Sequence, residues 1–240
     1  NATKDIKNLF GKSYFDYAKP IKLIRKLIEI NTCKNALILD FFAGSGTTAH
    51  AIMDLNAQDN GNRKFICIQW AEKTPEKSEA KKAGYETIFD ITKARIDKAG
   101  EQIGKGDIGF RTFEIVEDQK QKIYQKSLED VSQDDLLAMM EKPDISSNEE
   151  ILYNLFVAEA LPLSTKHQEL IKDKLYLASN VAFILGDITS DELVEALKDK
   201  KECEYITVYS PNISNDKFTL EIESNISKLG IKSDKLRFRG

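Results

Sequence analysis

Six consecutive small residues, Gly44-Ser45-Gly46-Thr47-Thr48-Ala49, follow the apolar run from Ala36 to Asp40, and their types and spacing suit ligand chemistry. They satisfy the G-x-G-x-x-G/A pattern, in which glycines let the backbone approach a phosphate at a helix N-terminus, so a nicotinamide or flavin dinucleotide is one candidate. A Walker-type phosphate loop needs a lysine after its last glycine; Thr47 stands there, which disfavours nucleoside triphosphates. Asp40 adds a second constraint, because it lies four residues before Gly44, at the strand end. A pyrophosphate would be repelled by it. A ligand carrying an ammonium and a sulfonium would be attracted, while its carboxylate could sit on the amides at the helix start. S-adenosylmethionine has that charge layout.

The elements that must hold this turn are legible on both sides. Ala36 to Asp40 reads as a buried strand, Thr47 onward as a helix, and Lys64 to Trp70 (KFICIQW) as a second buried strand whose near-continuous apolar character fits a parallel sheet. Residues 36 to 70 thus form a βαβ unit. Upstream, PIKLIRKLIEI from Pro20 predicts a helix with Lys22, Arg25, Lys26 and Glu29 on one solvated stripe and a broad buried side. Downstream, Thr74-Pro75 opens a polar helix ending near Gly84, ETIFDITKARIDKAGEQI forms another, and Gly109 to Ile115 reads as a further strand.

From about 116 to 147 the chain is charge-rich and weakly periodic, an exposed connection that holds the domain boundary. Beyond it, Ser147 with Glu150 forms a capping box before Ile151, Leu152, Leu155 and Phe156, and Pro162 stops that helix. VAFIL (181 to 185), a helix capped by Thr189 and Glu192, YITVY (205 to 209), a helical face of Ile222, Ile226 and Leu229 closed by Gly230, and the edge strand KLRFR complete a smaller α/β layer. The expected division is 1–115, a connection at 116–147, and a small α/β assembly domain at 148–240.

Length and composition bound the function. With 240 residues, 31% charged and 41% hydrophobic, the chain is long enough for one large or two small packed domains, and its apolar runs fall short of a membrane span. Cys33, Cys67 and Cys203 are far apart and only His50 and His167 accompany them, which argues against a structural zinc site or a disulfide framework and suits a reducing cytoplasm. Net charge is -4, so the chain as a whole does not present the basic field of a free-standing nucleic-acid binder. Of its 35 basic residues only 6 are arginine, which argues against direct base readout here. The start at Asn1, with neither initiator Met nor signal-peptide pattern, is expected of an excised or processed fragment.

LDFFAGSGTTAHAIMDLN resembles the cofactor motif of amino-methylating DNA methyltransferases, specifically the modification subunit of type III restriction systems. FDYAKPIKLIRKLIEI resembles the segment preceding that motif, GNRKFICIQWAE the second cofactor strand, and AGYETIFDITKARIDKAG and DIGFRTFEI the segments that follow. The order, with the Lys-Pro segment immediately before the glycine loop, is that of the permuted class, and the C-terminal third is similar to the subunit's tail. The resemblance implies a Rossmann-like S-adenosylmethionine-dependent methyltransferase sheet, in which Asp40, Phe41, Ala43, Gly44, Ser45, Gly46, Thr47 and Thr48 cradle the methionine part of S-adenosylmethionine and Asp40 lies near its amino group. Tyr17, Lys19 and Pro20 match the flanking segment, with Ala18 where the family more usually has Pro. Where relatives place an acid on the ribose hydroxyls this chain has Gln69, and Glu72 follows; the ribose is open between the two, with Glu72 preferred because a carboxylate accepts from both hydroxyls.

The family holds its flipped target base with an Asp/Asn/Ser-Pro-Pro-aromatic motif. All five prolines of this chain (Pro20, Pro75, Pro143, Pro162 and Pro211) are isolated, so no catalytic residue is assigned. The expected parent activity is methyl transfer to adenine N6 in DNA, with cytosine N4 the alternative, and this chain is expected to be inactive alone. DNA would be reached through an absent N-terminal portion. The expected partners are a restriction subunit or a second modification subunit, with no membrane. Two rivals stay open: a NAD(P)- or FAD-binding oxidoreductase domain, and an assembly module with a vestigial loop. Plain readings accompany the remaining residues: His50 and His167 as surface or helix positions without a catalytic role, Lys73, Lys77, Lys81 and Lys82 as a solvated helix face in preference to phosphate contacts, and Cys67 as inert core. Phe41 and Phe42 are divided between core and pocket, and Tyr14, Phe15 and Tyr17 between ring stacking and helix packing.

Overall fold

The computed structural model describes residues 2–116, 123, 125–127, 130–140, 147–214 and 216–240, and of 138–140, 216, 217, 219 and 220 the backbone alone. It is a mixed α/β protein with two compact units, Asn1–Thr112 and Phe113–Gly240.

In the first unit, α1 (Ala2–Phe10) and α2 (Ile21–Asn31) precede β1 (Leu37–Asp40), α3 (Thr47–Asp59) and β2 (Lys64–Cys67); α4 (Glu79–Lys82) and α5 (Ile88–Ile103) follow. The strands pair in parallel, Leu37 opposite Lys64 and Asp40 opposite Cys67, so the βαβ unit read from the sequence is present. Helix α3 is buried on several sides, because Ala49 and Ala51 let neighbours approach closely. Its Ile52 and Leu55 pack with Ile28 and Ile24 of α2, while Met53 packs with Ile96 and Ala99 of α5. Ile38 and Phe65 bring the sheet onto these clusters. The alternate positions Leu37, Leu39, Ile66 and Ile68 are exposed, so among the described residues this sheet is covered on one face, which corrects the reading of both strands as buried.

Three local expectations are corrected. The apolar side of α2 is a narrow stripe, Ile21, Ile24 and Ile28, which packs in one cluster with α3 and with Ile38 and Phe65 of the sheet; Leu23, Leu27 and Ile30 are exposed. Thr74-Pro75 does not begin a helix: Thr74 bonds the carbonyls of Tyr85 and Glu86, and α4 starts only after its cap, Ser78. Gly109–Ile115 is not a strand. It has no ladder partner among the described residues, and Ile108 and Phe110 instead cap the α3–α5 cluster as irregular chain.

The second unit contains α6 (Gln133–Met140), α7 (Asn148–Ala158), β3 (His167–Ile171), β4 (Leu175–Ala178), β5 (Val181–Ile184), α8 (Ser190–Leu197), β6 (Tyr205–Tyr209), α9 (Asp216–Ile226) and β7 (Leu236–Arg239). The sheet order is β3-β4-β5-β6-β7; β5, β6 and β7 run parallel, and β3-β4-β5 form an antiparallel meander. Val181 and Phe183 face α7, where they meet Leu152 and Phe156, whereas Ala182 and Ile184 face α8 and α9, packing with Leu193, Ile222 and Ile226. The predicted capping boxes of Ser147–Glu150 and Thr189–Glu192 are both formed. Helix α7 ends before Pro162: Ala160 turns left-handed (φ 55°) while the amides of Ala160 and Leu161 close on Val157 and Phe156. Within the charge-rich connection read at 116–147, residues 117–122, 124, 128, 129 and 141–146 lie outside the described residues, and Gln133–Met140 forms helix α6.

Candidate functional site

The turn between β1 and α3 is built from four ties. Asp40 ends the strand, and its carboxylate accepts from the Phe42 amide at 3.1 Å and from Thr48 Oγ1 at 2.5 Å, closing the turn over itself. The Ala43 amide reaches the Ile68 carbonyl at 3.0 Å, which continues the β1–β2 pairing past the strand ends. The Gly44 amide donates to Gln69 Oε1 at 2.7 Å. Gly44 and Gly46 both take left-handed φ (54° and 76°), and Gly46 caps α3. A Cβ on Gly46 would meet the Thr92 carbonyl at 3.1 Å and Ile96 Cγ1 at 3.2 Å, so both conformation and space demand glycine.

The other side of that contact is α5. Its start is fixed by a capping box, Thr87 with Asp90. One turn later Thr92 Oγ1 donates to the Gly44 carbonyl at 2.5 Å. The next turn brings Arg95, fully buried, whose Nη1 donates to Ser45 Oγ at 2.6 Å and Thr47 Oγ1 at 2.8 Å. Burial lowers the Arg95 pKa to about 10 while Asp5 opposes that shift, so the guanidinium is charged at neutral pH. His50 lies nearby on α3; burial first and the Arg95 charge second press its pKa down to about 4. It is a buried neutral imidazole, which corrects the surface alternative. Cys67 is pushed up to about 12 by burial and the Asp40 charge, as expected of an unreactive thiol.

The sequence-predicted residues divide into two groups. Ser45 and Thr47 point inward to Arg95, and Ala43 is buried. Asp40, Gly44 and Thr48 are half-buried, while Phe41 and Phe42 are both exposed, Phe42 by 80%. The flanking segment is brought to the turn: the Lys19 carbonyl accepts from Thr47 Oγ1 at 3.4 Å, Phe15 lies beside Gly44, and Pro20 opens α2. Tyr17 is exposed, and Tyr14 packs edge-on with Phe10 and near Tyr85. Gln69 has spent its oxygen on Gly44 and its nitrogen on the Trp70 carbonyl; the Glu72 side chain is exposed. Thr92 and Arg95 were not singled out from sequence. Their signal is positional: Ile91, Arg95 and Ala99 share one helical stripe, and a charge in that stripe needs a reason.

Residues 1–82, which include the whole turn, match the DNA methylase family of N6 and N4 type. The chain is 42% identical over 127 residues to the type III restriction-modification enzyme EcoPI Mod subunit of Escherichia phage P1, covering 51% of this chain and 20% of that protein. It is 42% identical over 123 residues to the EcoP15I Mod subunit of Escherichia coli, covering 50% of this chain and 19% of the relative. Against the type II methyltransferase M.KpnI of Klebsiella pneumoniae it is 38% identical over 115 residues, 48% of this chain and 27% of that enzyme. The family is that of the resemblance drawn from the motif, and the chain spans about a fifth of the length of the type III relatives it matches.

The donor set of this turn suits a zwitterionic cofactor. A carboxylate stands at the strand end, a glycine backbone opens the turn, and a buried cation lies under the helix start. The turn thus separates two charges, negative at Asp40 and positive at Arg95.

Proposed function

We propose that this chain is the cofactor-binding portion of a DNA adenine-N6 methyltransferase of a type III restriction-modification system. In this reading β1, α3 and β2 belong to a Rossmann-like methyltransferase sheet. S-adenosylmethionine binds at Asp40 to Thr48, with Asp40 beside the cofactor's ammonium, Phe41, Phe42, Tyr17 and Lys19 around the opening, Pro20 fixing the flanking segment, and Glu72 towards the ribose. Bound there, the cofactor supplies an electrophilic methyl group for an exocyclic base nitrogen. The observation that carries the reading is the locked strand-acid-glycine turn inside the segment that matches DNA methylase. A dinucleotide is the poorer ligand, because its pyrophosphate would meet the Asp40 carboxylate. Reading the target base belongs to sequence outside these residues, since no Pro-Pro motif occurs in them. DNA and a restriction subunit or second modification subunit are the partners this reading implies, in the cytoplasm.

Melting curves with S-adenosylmethionine or S-adenosylhomocysteine test the site. At ~100 times its dissociation constant a ligand adds about 2.7 kcal/mol, a visible shift. Gly46→Val should abolish the shift, because the new side chain collides with Thr92 and Ile96. A shift that survives this substitution, or one produced by NAD instead, would refute the assignment.

A further inference from the structure

The glycine turn rests on a buried charge that shape alone does not require. Arg95 is 0% exposed, and its Nε and Nη2 have no hydrogen-bond partner among the described residues. No carboxylate forms an ion pair with it there; Asp5 acts on it from farther off and accepts a bond from the Ile21 amide. Keeping a guanidinium charged inside a fold without an ion-pair partner works against the loss of its hydration. A neutral hydroxyl is enough to support a turn, as Thr92 does for the Gly44 carbonyl. The charge itself therefore calls for a use.

Its position suggests one. Arg95 occupies acceptor sites of both Ser45 Oγ and Thr47 Oγ1, so their own hydrogens turn elsewhere, that of Thr47 to the Lys19 carbonyl. The guanidinium thus ties α5, the turn and the flanking segment into one polarised chain, and its charge adds to the positive end of the α3 dipole. We propose that Arg95 is a positioning residue that acts through Ser45 and Thr47 to fix the turn and supply the positive field drawing a ligand's amino-acid carboxylate to the start of α3. This rests on the S-adenosylmethionine reading above. It adds an electrostatic division of labour, with Asp40 selecting the ammonium and Arg95 the carboxylate.

Calorimetric titration with S-adenosylhomocysteine and with its decarboxylated analogue, which keeps the ammonium and adenosine, isolates the carboxylate. Wild type should prefer the intact ligand by about tenfold, and Arg95→Met should erase that preference, weakening the intact ligand about tenfold more than the analogue. Arg95→Lys should restore part of it. Equal losses for both ligands would reduce Arg95 to a structural prop and overturn the proposal, as would an unchanged preference. Equal wild-type affinity for the two ligands would leave the cofactor reading standing and sink this one; binding of neither would sink both. Should Arg95→Met not fold, Ser45→Ala with Thr47→Val uncouples the turn while keeping the charge. An unchanged preference in that double variant also overturns the proposal.

Discussion

His50 carries a measurable consequence of burial. Its imidazole lies on α3 with Nδ1 unpartnered among the described residues, and burial, then Arg95, lower its pKa from 6.5 to about 4 against weaker opposing pulls from Asp54 and Asp5. Between those two values the unfolded chain binds a proton that the folded chain refuses, so stability is full above pH 6.5 and falls as the pH drops towards 4. The loss attributable to this one group is on the order of 3 kcal/mol. Urea midpoints measured from pH 7 to pH 4.5 should show it, and His50→Leu should flatten that part of the curve. An equally steep loss in the variant would assign the acid sensitivity to other groups. At this scale the sequence was readable where chemistry is local. The acid at a strand end and the glycines of a turn declare themselves within a few residues, whereas His50 and Arg95 acquire meaning only from α3 and α5 meeting.

Helix α5 links the packing of the first unit to the proposed site, since its first two turns hold Gly44, Ser45 and Thr47 through Thr92 and Arg95. Its registration depends on the Thr87–Asp90 capping box, in which the Asp90 amide donates to Thr87 Oγ1 at 3.2 Å and the Thr87 amide to Asp90 Oδ2 at 2.8 Å. Thr87→Ala should cost about 1 kcal/mol in thermal unfolding and weaken cofactor binding, with Thr87→Ser close to wild type. Unchanged melting in the alanine variant would mean that tertiary contacts alone set the helix start. The elements that sequence revealed share a trait: an apolar run whose neighbours in space are also its neighbours in sequence, as in β1-α3-β2 and β5-α8-β6. Those it concealed depend on distant partners. Strand β3 is largely exposed and polar, HQELI, and exists because β4 pairs with it around Asp173, a left-handed turn residue that periodicity does not mark. Gly109–Ile115 has a strand's composition but no ladder partner among the described residues, and the apolar breadth of α2 exceeds what α3 covers.

Across the whole molecule, the residues framing the turn fall within 1–112, and the second unit has its own two-faced core around β3 to β7. The proposed division of labour therefore separates on cutting. Removing residues 148–240 should leave S-adenosylhomocysteine affinity within a few-fold, because Asp40, Gly44, Gln69, Thr92 and Arg95 and all their mutual bonds stay in the remaining chain. The same deletion should reduce self-association or capture of a restriction subunit, since among the described residues β7 ends the sheet with one edge unpaired, though Arg237 and Arg239 on it are drawn to Glu159. If a folded truncated chain no longer binds the cofactor, the tail belongs to the site and the division fails. Neither form should methylate DNA by itself. A net charge of -4 gives no basic field to gather phosphates, and the 240 residues contain no paired prolines to aim an amine at the methyl group. Labelled methyl incorporated into duplex or single-stranded DNA, and suppressed by S-adenosylhomocysteine, would show that a base-positioning site exists within these residues after all; a silent chain that recovers transfer when a fragment bearing the Pro-Pro motif is added would place the missing chemistry in that fragment.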